Sequence, residues 1–145
     1  MFSSLTRTAT ILNGSGNTLF PGEVTAYSSD ARLKTNVENI PNALDKVKAL
    51  NGVLYNWTAE GHKCGLDVDT EKREVGLLAQ EVQAVLPEAV APAPFDLDDN
   101  GNSRSGEDYL TVKYERIAPV LIEAIKEQQK EIDELKAMVQ KLLDK

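Results

Sequence analysis

The chain has 145 residues, a net charge of −7 from 16 basic and 23 acidic side chains, and a composition that is 41% hydrophobic and 6% aromatic. That length fits one domain with a modest core, and the acidic balance argues against nucleic-acid or anionic-membrane partners. A single cysteine, Cys64, excludes an intramolecular disulfide, and no apolar run approaches the roughly 18 residues of a transmembrane helix.

Residues 1–28 are rich in Ser, Thr, Gly and Asn. Thr10-Ile11-Leu12 and Val24-Thr25-Ala26-Tyr27 are predicted as short strands, with Asn13-Gly14-Ser15-Gly16-Asn17 as the turn between them. The segment lacks the apolar core of a secretory leader. It reads as the C-terminal end of a β-rich body lying upstream or pairing between chains; a flexible tail is the alternative.

At the junction that follows, Ser29 and Lys34 pair a potential nucleophile with a potential base. A serine hydroxyl attacks well only when something takes its proton. A lysine can do so once burial has brought its pKa down from about 10.4. Five residues along an α-helix turn through about 500°, which places the two side chains on different faces. They can meet only across a bend, and Ser28-Ser29-Asp30 after a strand end supplies the turn chemistry for one.

Ile40, Leu44, Val47 and Leu50 recur at helical spacing, so residues 41–50 are predicted as a helix with Pro41 in its first turn and Asn51-Gly52 as its cap. Val53-Leu54-Tyr55-Asn56-Trp57 alternates like a strand. Residues 58–74 are polar and read as a loop or hairpin. His62 and Cys64 within it are two potential metal ligands without a second pair, hence no metal site is expected. Val75-Gly76-Leu77-Leu78 reads as a buried strand, and Ala79 to about Leu86 as a short helix ended by Pro87, with Val82, Val85 and Leu86 on its apolar face.

Residues 96–107 match the spacing of a calcium-binding EF-hand loop: Asp96, Asp98, Asn100 and Glu107 stand at ligand positions and Gly101 at the sharp turn. The surroundings oppose that reading. Pro92 and Pro94 stand where an entering helix belongs, Ser103 replaces the usual mid-loop apolar residue, and the strand-like Tyr109-Leu110-Thr111-Val112 follows. A solvated, mobile, metal-free acidic loop is expected.

Residues 115–144 form the clearest element. Ala118, Ile125, Ile132 and Val139 share one heptad position, and Leu121, Gln128, Leu135 and Leu142 its partner. This is the seam of a coiled coil. β-branched residues at the first position with leucine at the second favour two strands. Ile122, Ala124, Met138 and Leu143 widen the stripe and Gln128 adds a polar layer, which suits three or more.

Three ordered blocks carry a family resemblance: Gly22 to Val37, including Ser28-Ser29-Asp30-Ala31-Arg32-Leu33-Lys34; Val75-Gly76-Leu77-Leu78-Ala79-Gln80-Glu81-Val82 through Leu86-Pro87-Glu88; and Val112-Lys113-Tyr114-Glu115-Arg116 through Glu127. Together they resemble the C-terminal intramolecular chaperone domain of phage tail fibres and spikes, the endosialidase type. The resemblance spans residues 22 to about 143. It implies an α+β fold with a long C-terminal helix, a parallel homotrimer, and residues 29–145 as a chaperone for the upstream body. It also implies single-turnover self-cleavage between Ser28 and Ser29 by a Ser29–Lys34 dyad, with Asp30 and Arg32 in positioning roles and no cofactor. The matching compartments are the host cytoplasm during assembly and the virion tail afterwards, with the chaperone domain released. Gln80-Glu81 would pack against the chaperone body.

Ser28 departs from the residues often found before the cut. A second reading therefore keeps the trimer and drops the chemistry, leaving a permanent trimeric foot. A third is a coiled-coil adaptor unrelated to phages, since a related domain also occurs in a membrane-tethered eukaryotic transcription factor.

Overall fold

The computed structural model describes residues 29–144. Ser28 and the strands expected at residues 10–12 and 24–27 lie outside the described residues. The architecture is α+β, with two small antiparallel strand pairs, three short helices and one long C-terminal helix.

The first helix, α1, spans Ala43–Lys48 and is shorter than residues 41–50. Asn42 takes a left-handed conformation, φ 52°, which breaks the helical path and leaves Pro41 outside it. At the other end the cap is Ala49 rather than Asn51-Gly52. Strand β1, Val53–Asn56, pairs with β2, Arg73–Gly76, with Leu54 opposite Val75 and Tyr55 opposite Glu74. Between them the polar stretch contains a one-turn helix, α2, Glu60–Lys63, with Gly61 buried beneath Val68 and Trp57.

The buried strand expected at 75–78 is corrected on both counts. The strand begins two residues earlier, and Val75 is 74% exposed. Side chains alternate along a strand: Gly76 faces Tyr55 and Tyr114, so Val75 points the other way, beside exposed Leu54. Leu77, just past the strand, packs on the core instead.

Helix α3, Ala79–Val85, ends ahead of Pro87 as its sequence requires. It buries Val82 and delivers Leu86 to the core, with Val85 packed at the edge. Strand β3, Val90–Pro92, pairs with β4, Leu110–Val112. The long helix α4, Ile117–Leu143, follows a 3-10 turn at Tyr114–Arg116. Arg116 ties this junction to the 3-10 turn at Pro87–Ala89, just after α3, by donating from Nη1 to the Glu88 carbonyl at 2.6 Å.

The core lies between α1, α3 and the first turns of α4, built on Ala43, Val82, Leu86, Ala89, Ile117, Val120 and Ala124. Helix α4 thus has two apolar faces. Ile117, Val120 and Ala124 form a docking face buried within the chain, while the heptad seam lies on a different face and stays exposed. Ala124 therefore does not widen the seam, as the heptad pattern had suggested; the small side chain lets α1 approach. Ile122, Met138 and Leu143 remain exposed.

Candidate active site and assembly surface

Ser29 and Lys34 come together. A single 3-10 turn, Ala31–Leu33, bends the chain between them, and Lys34 Nζ donates to Ser29 Oγ at 2.8 Å. Asp30 caps this turn, accepting the Arg32 backbone N–H at 2.9 Å. The Asp30 carboxylate also holds the Arg32 guanidinium, with Nη2 to Oδ2 at 2.7 Å and Nε to Oδ1 at 3.0 Å. Hydrogen bonds from the Arg32 side chain and then its backbone hold the Asp30 carboxyl below its ordinary range. Both residues thus stabilise the bend, although Arg32 is 88% exposed, and such a pair contributes little to global stability.

The dyad rides on an uncovered arm. Residues 31–39 are all exposed, and Ser29 is too. In the arrangement seen, the ammonium donates to the hydroxyl. For catalysis the direction must reverse, with a neutral amine accepting the serine proton. Water favours the charged form of an exposed lysine, and burial disfavours it. The pair has the reach for proton transfer within one chain but no dry surroundings there.

The seam residues Leu121, Ile125, Gln128, Ile132, Leu135, Val139 and Leu142 are all exposed, Ile125 by 64%. Beyond Glu127 every described residue of α4 is exposed, so about 24 Å of helix projects with its apolar stripe uncovered. The helix does not fold back onto its own domain. Among the described residues none of the helices is long and apolar enough to cross a membrane.

Residues 99–102 and 104–107 are exposed, as expected of a solvated loop, but the loop is organised around one buried carboxylate. Asp96 is only 4% exposed. It accepts from Ser103 Oγ at 2.7 Å and from the backbone N–H groups of Ser105 and Tyr109 at 2.9 and 3.2 Å. Chiefly the Ser103 bond lowers its pKa to about 2. Asp98 accepts from the N–H groups of Asn100 and Asn102. Serine at position 103, unusual for a calcium loop, is the donor that orients Asp96. Two of the presumed ligands are therefore engaged by the loop itself. His62 lies exposed on α2 and Cys64, a free thiol, half-buried after it. Among the described residues no group of three or more His, Cys, Asp or Glu side chains could hold a metal ion.

Two residues escaped sequence reasoning. Glu127 reaches from α4 to the start of α1, where its carboxylate accepts the Ala43 and Leu44 N–H groups at 3.0 and 2.7 Å. These backbone bonds hold its carboxyl below the usual glutamate range. Tyr114 accepts the Leu77 N–H at 3.0 Å and so joins β2 to the start of α4. Both contacts link distant parts of the chain and leave no periodic signal. Gln80 and Glu81 lie on α3; Glu81 accepts from Asn51 Nδ2 at 3.1 Å, and Gln80 is exposed.

A family model described as chaperone of endosialidase matches residues 29–91, beginning at the dyad serine. The chain is 41% identical over 109 residues to the long tail fiber protein Gp37 of Enterobacteria phage K3, covering 75% of this chain and 8% of that protein. It is 38% identical over 109 residues to Gp37 of Enterobacteria phage M1, covering 74% and 38%. The myelin gene regulatory factor-like A protein of Dictyostelium discoideum is 29% identical over 122 residues, covering 82% of this chain and 13% of that protein. The chain thus spans a small part of each of these relatives. Residues 29–91, from the dyad serine into β3, thus carry a chaperone-of-endosialidase domain.

Proposed function

We propose that residues 29–145 are the intramolecular chaperone of a phage tail fibre or spike. In this reading they hold three copies of an upstream β-rich body, residues 1–28 and beyond, in parallel and in register, and then release themselves. The observation that carries assembly is the uncovered a/d stripe of α4 from Ile125 to Leu142. Fibres of intertwined β-chains depend on non-local pairing, which is slow and aggregation-prone. A coil at one end makes later pairing steps effectively intramolecular.

Release would follow from the dyad. Ser29 Oγ attacks the carbonyl carbon of Ser28 while neutral Lys34 takes the hydroxyl proton. The Ser28–Ser29 amide bond breaks, the proton passes to the departing nitrogen, and an ester joins Ser28 to the Ser29 oxygen. Water hydrolyses the ester and leaves Ser29 as a new N-terminus. Each chain reacts once. Exposure of the dyad in one chain fits a reaction that waits for assembly to cover the arm.

The same exposure favours, as the second reading, a trimeric scaffold that does not cut. The intact mass of freshly expressed protein on a denaturing gel separates the two. Fragments split at Ser29, absent from Ser29→Ala, support release; a full-length chain in assembled trimers supports the scaffold.

A further inference from the structure

We propose that Glu127 is the positioning residue through which coil formation controls the dyad arm. The inference rests on the self-cleaving reading above and concerns regulation of that site. Its basis is the place of one carboxylate. Glu127 lies on α4 one turn beyond buried Ala124, and it is the last half-buried residue before a stretch that is exposed throughout. Ile125 and Gln128, its seam neighbours, are exposed. Glu127 therefore marks the border between the docked and the projecting parts of α4. In the heptad it occupies neither seam position, so it can face its own domain while the seam engages other chains.

Its partners lie where the arm enters the domain. The carboxylate accepts two successive N–H groups, Ala43 at 3.0 Å and Leu44 at 2.7 Å. Asn42, the residue placed to cap α1, makes no side-chain cap bond. A six-residue helix does not hold its own first turn in water. An anionic acceptor on two of its free N–H groups fixes that turn. The chain immediately upstream is the left-handed Asn42, Pro41, half-buried Ile40 and then the uncovered arm that ends in Lys34 and Ser29.

The coupling follows. In one chain the turn carrying Glu127 is supported by the domain on one side only, and residues 128–143 of the helix beyond it are all exposed. Packing of Ile125, Gln128 and Ile132 against other chains holds that turn helical and holds the carboxylate on α1. The first turn of α1 then sets the direction in which the arm leaves, so the dyad is aimed only after the coil has formed.

The test uses the full chain in four forms: wild type, Ser29→Ala, Glu127→Ala and Glu127→Gln. Trimer mass is measured for each, then the cleavage rate in assembled trimers. Glu127→Ala is expected to assemble like wild type and cut about fivefold more slowly or worse, from the usual effect of losing a helix cap. Glu127→Gln, which keeps one acceptor oxygen, is expected to fall between them. Hydrogen exchange adds a readout that general destabilisation does not mimic. The Ala43 and Leu44 amides should be protected in Ser29→Ala trimers and exchange faster in an Ile132→Asp monomer and in Glu127→Ala trimers. Wild-type cleavage with an unchanged rate in Glu127→Ala trimers overturns the coupling alone, as does equal protection of the two amides in monomer and trimer. Wild-type trimers that never cut overturn the self-cleaving reading and the coupling with it.

Discussion

Tyr114 and Gly76 leave no room for a side chain between them: a Cβ on Gly76 would stand 2.7 Å from the Tyr114 hydroxyl and 3.3 Å from the Tyr55 ring. The same hydroxyl accepts the Leu77 N–H, so the tyrosine cannot turn away without leaving that donor unpaired. Gly76→Ala is expected to destabilise the domain by about 1–3 kcal/mol, the usual range for overpacking. Urea unfolding measures it. Tyr114→Phe, which removes only the hydroxyl, should partly relieve the alanine variant, and a double-mutant cycle reads that coupling.

Asp96 links the acidic loop to acid stability. Its pKa is depressed to about 2 from an ordinary 3.8. A depressed carboxyl contributes stability that is complete above the unfolded value and is lost as pH falls through the folded one. Loss is therefore expected between about pH 4 and pH 2. Asp96→Asn keeps the shape but must turn its amide N–H₂ toward one of the Ser105 and Tyr109 N–H groups, which bond different carboxylate oxygens. It should lower the melting temperature at pH 7 and flatten the acid limb of the stability curve. Equal acid limbs in the two proteins would show that Asp96 is not its source.

The elements that announced themselves in the sequence did so through periodicity. The i, i+3, i+4 pattern located α1 and α3 to within a few residues, and the heptads gave α4 nearly whole. What periodicity could not reveal was which of two faces an apolar residue serves. Ala124 sits beside the seam in the heptad pattern, yet the domain takes it because Ile117 and Val120 align with it on the docking face. The strand at 73–76 was misplaced because Leu77 and Leu78 extend an apolar run past its end, while charged Arg73 and Glu74 hide its beginning. The bend between Ser29 and Lys34 could be anticipated, since an unbroken helix would part them. Glu127 and Tyr114 could not, because a carboxylate or phenol that meets a backbone N–H across the fold has no local sequence mark.

Ile132→Asp tests the coil. Ile132 lies beyond the docked part of α4, so the domain should keep its fold and its circular dichroism outside the long helix. Three carboxylates brought to one axis without partners carry a desolvation cost that the remaining seam cannot offset. Sedimentation should report a monomer at concentrations where the wild type is expected to be a trimer. A variant that still trimerises would place the interface elsewhere.

Asp30→Ala tests the bend. It removes both the cap of the 31–33 turn and the Arg32 partner, while leaving nucleophile and base in place. Assembly is expected to be unaffected and cleavage in trimers to slow by about three- to tenfold, the scale of a lost cap. Asp30→Asn, which can still accept the Arg32 N–H, should recover most of the rate. If Asp30→Ala cuts like wild type, the turn does not depend on its cap.

In the proposed cut Ser29 and Lys34 would carry the chemistry, and their variants separate the two roles. Ser29→Ala removes the nucleophile and is expected to abolish cleavage between residues 28 and 29. Lys34→Ala leaves the hydroxyl but no amine to take its proton, and should slow cleavage by at least about a hundredfold. Lys34→Arg keeps a cation near Ser29, yet a guanidinium cannot act as the base at neutral pH, so it should be as slow as alanine. Both positions lie on the exposed arm, far along the chain from the seam, and all three variants should still form trimers. Ile132→Asp, with its dyad intact, should also stay uncut, which would distinguish gating by assembly from loss of a reacting group. Cleavage of the wild type should slow as pH falls, because an ammonium has no lone pair to receive a proton. In preformed trimers the rate should be independent of protein concentration, the mark of an intramolecular cut. A Lys34→Ala trimer that cuts at the wild-type rate would remove the lysine from the mechanism and leave Ser29 in need of another base.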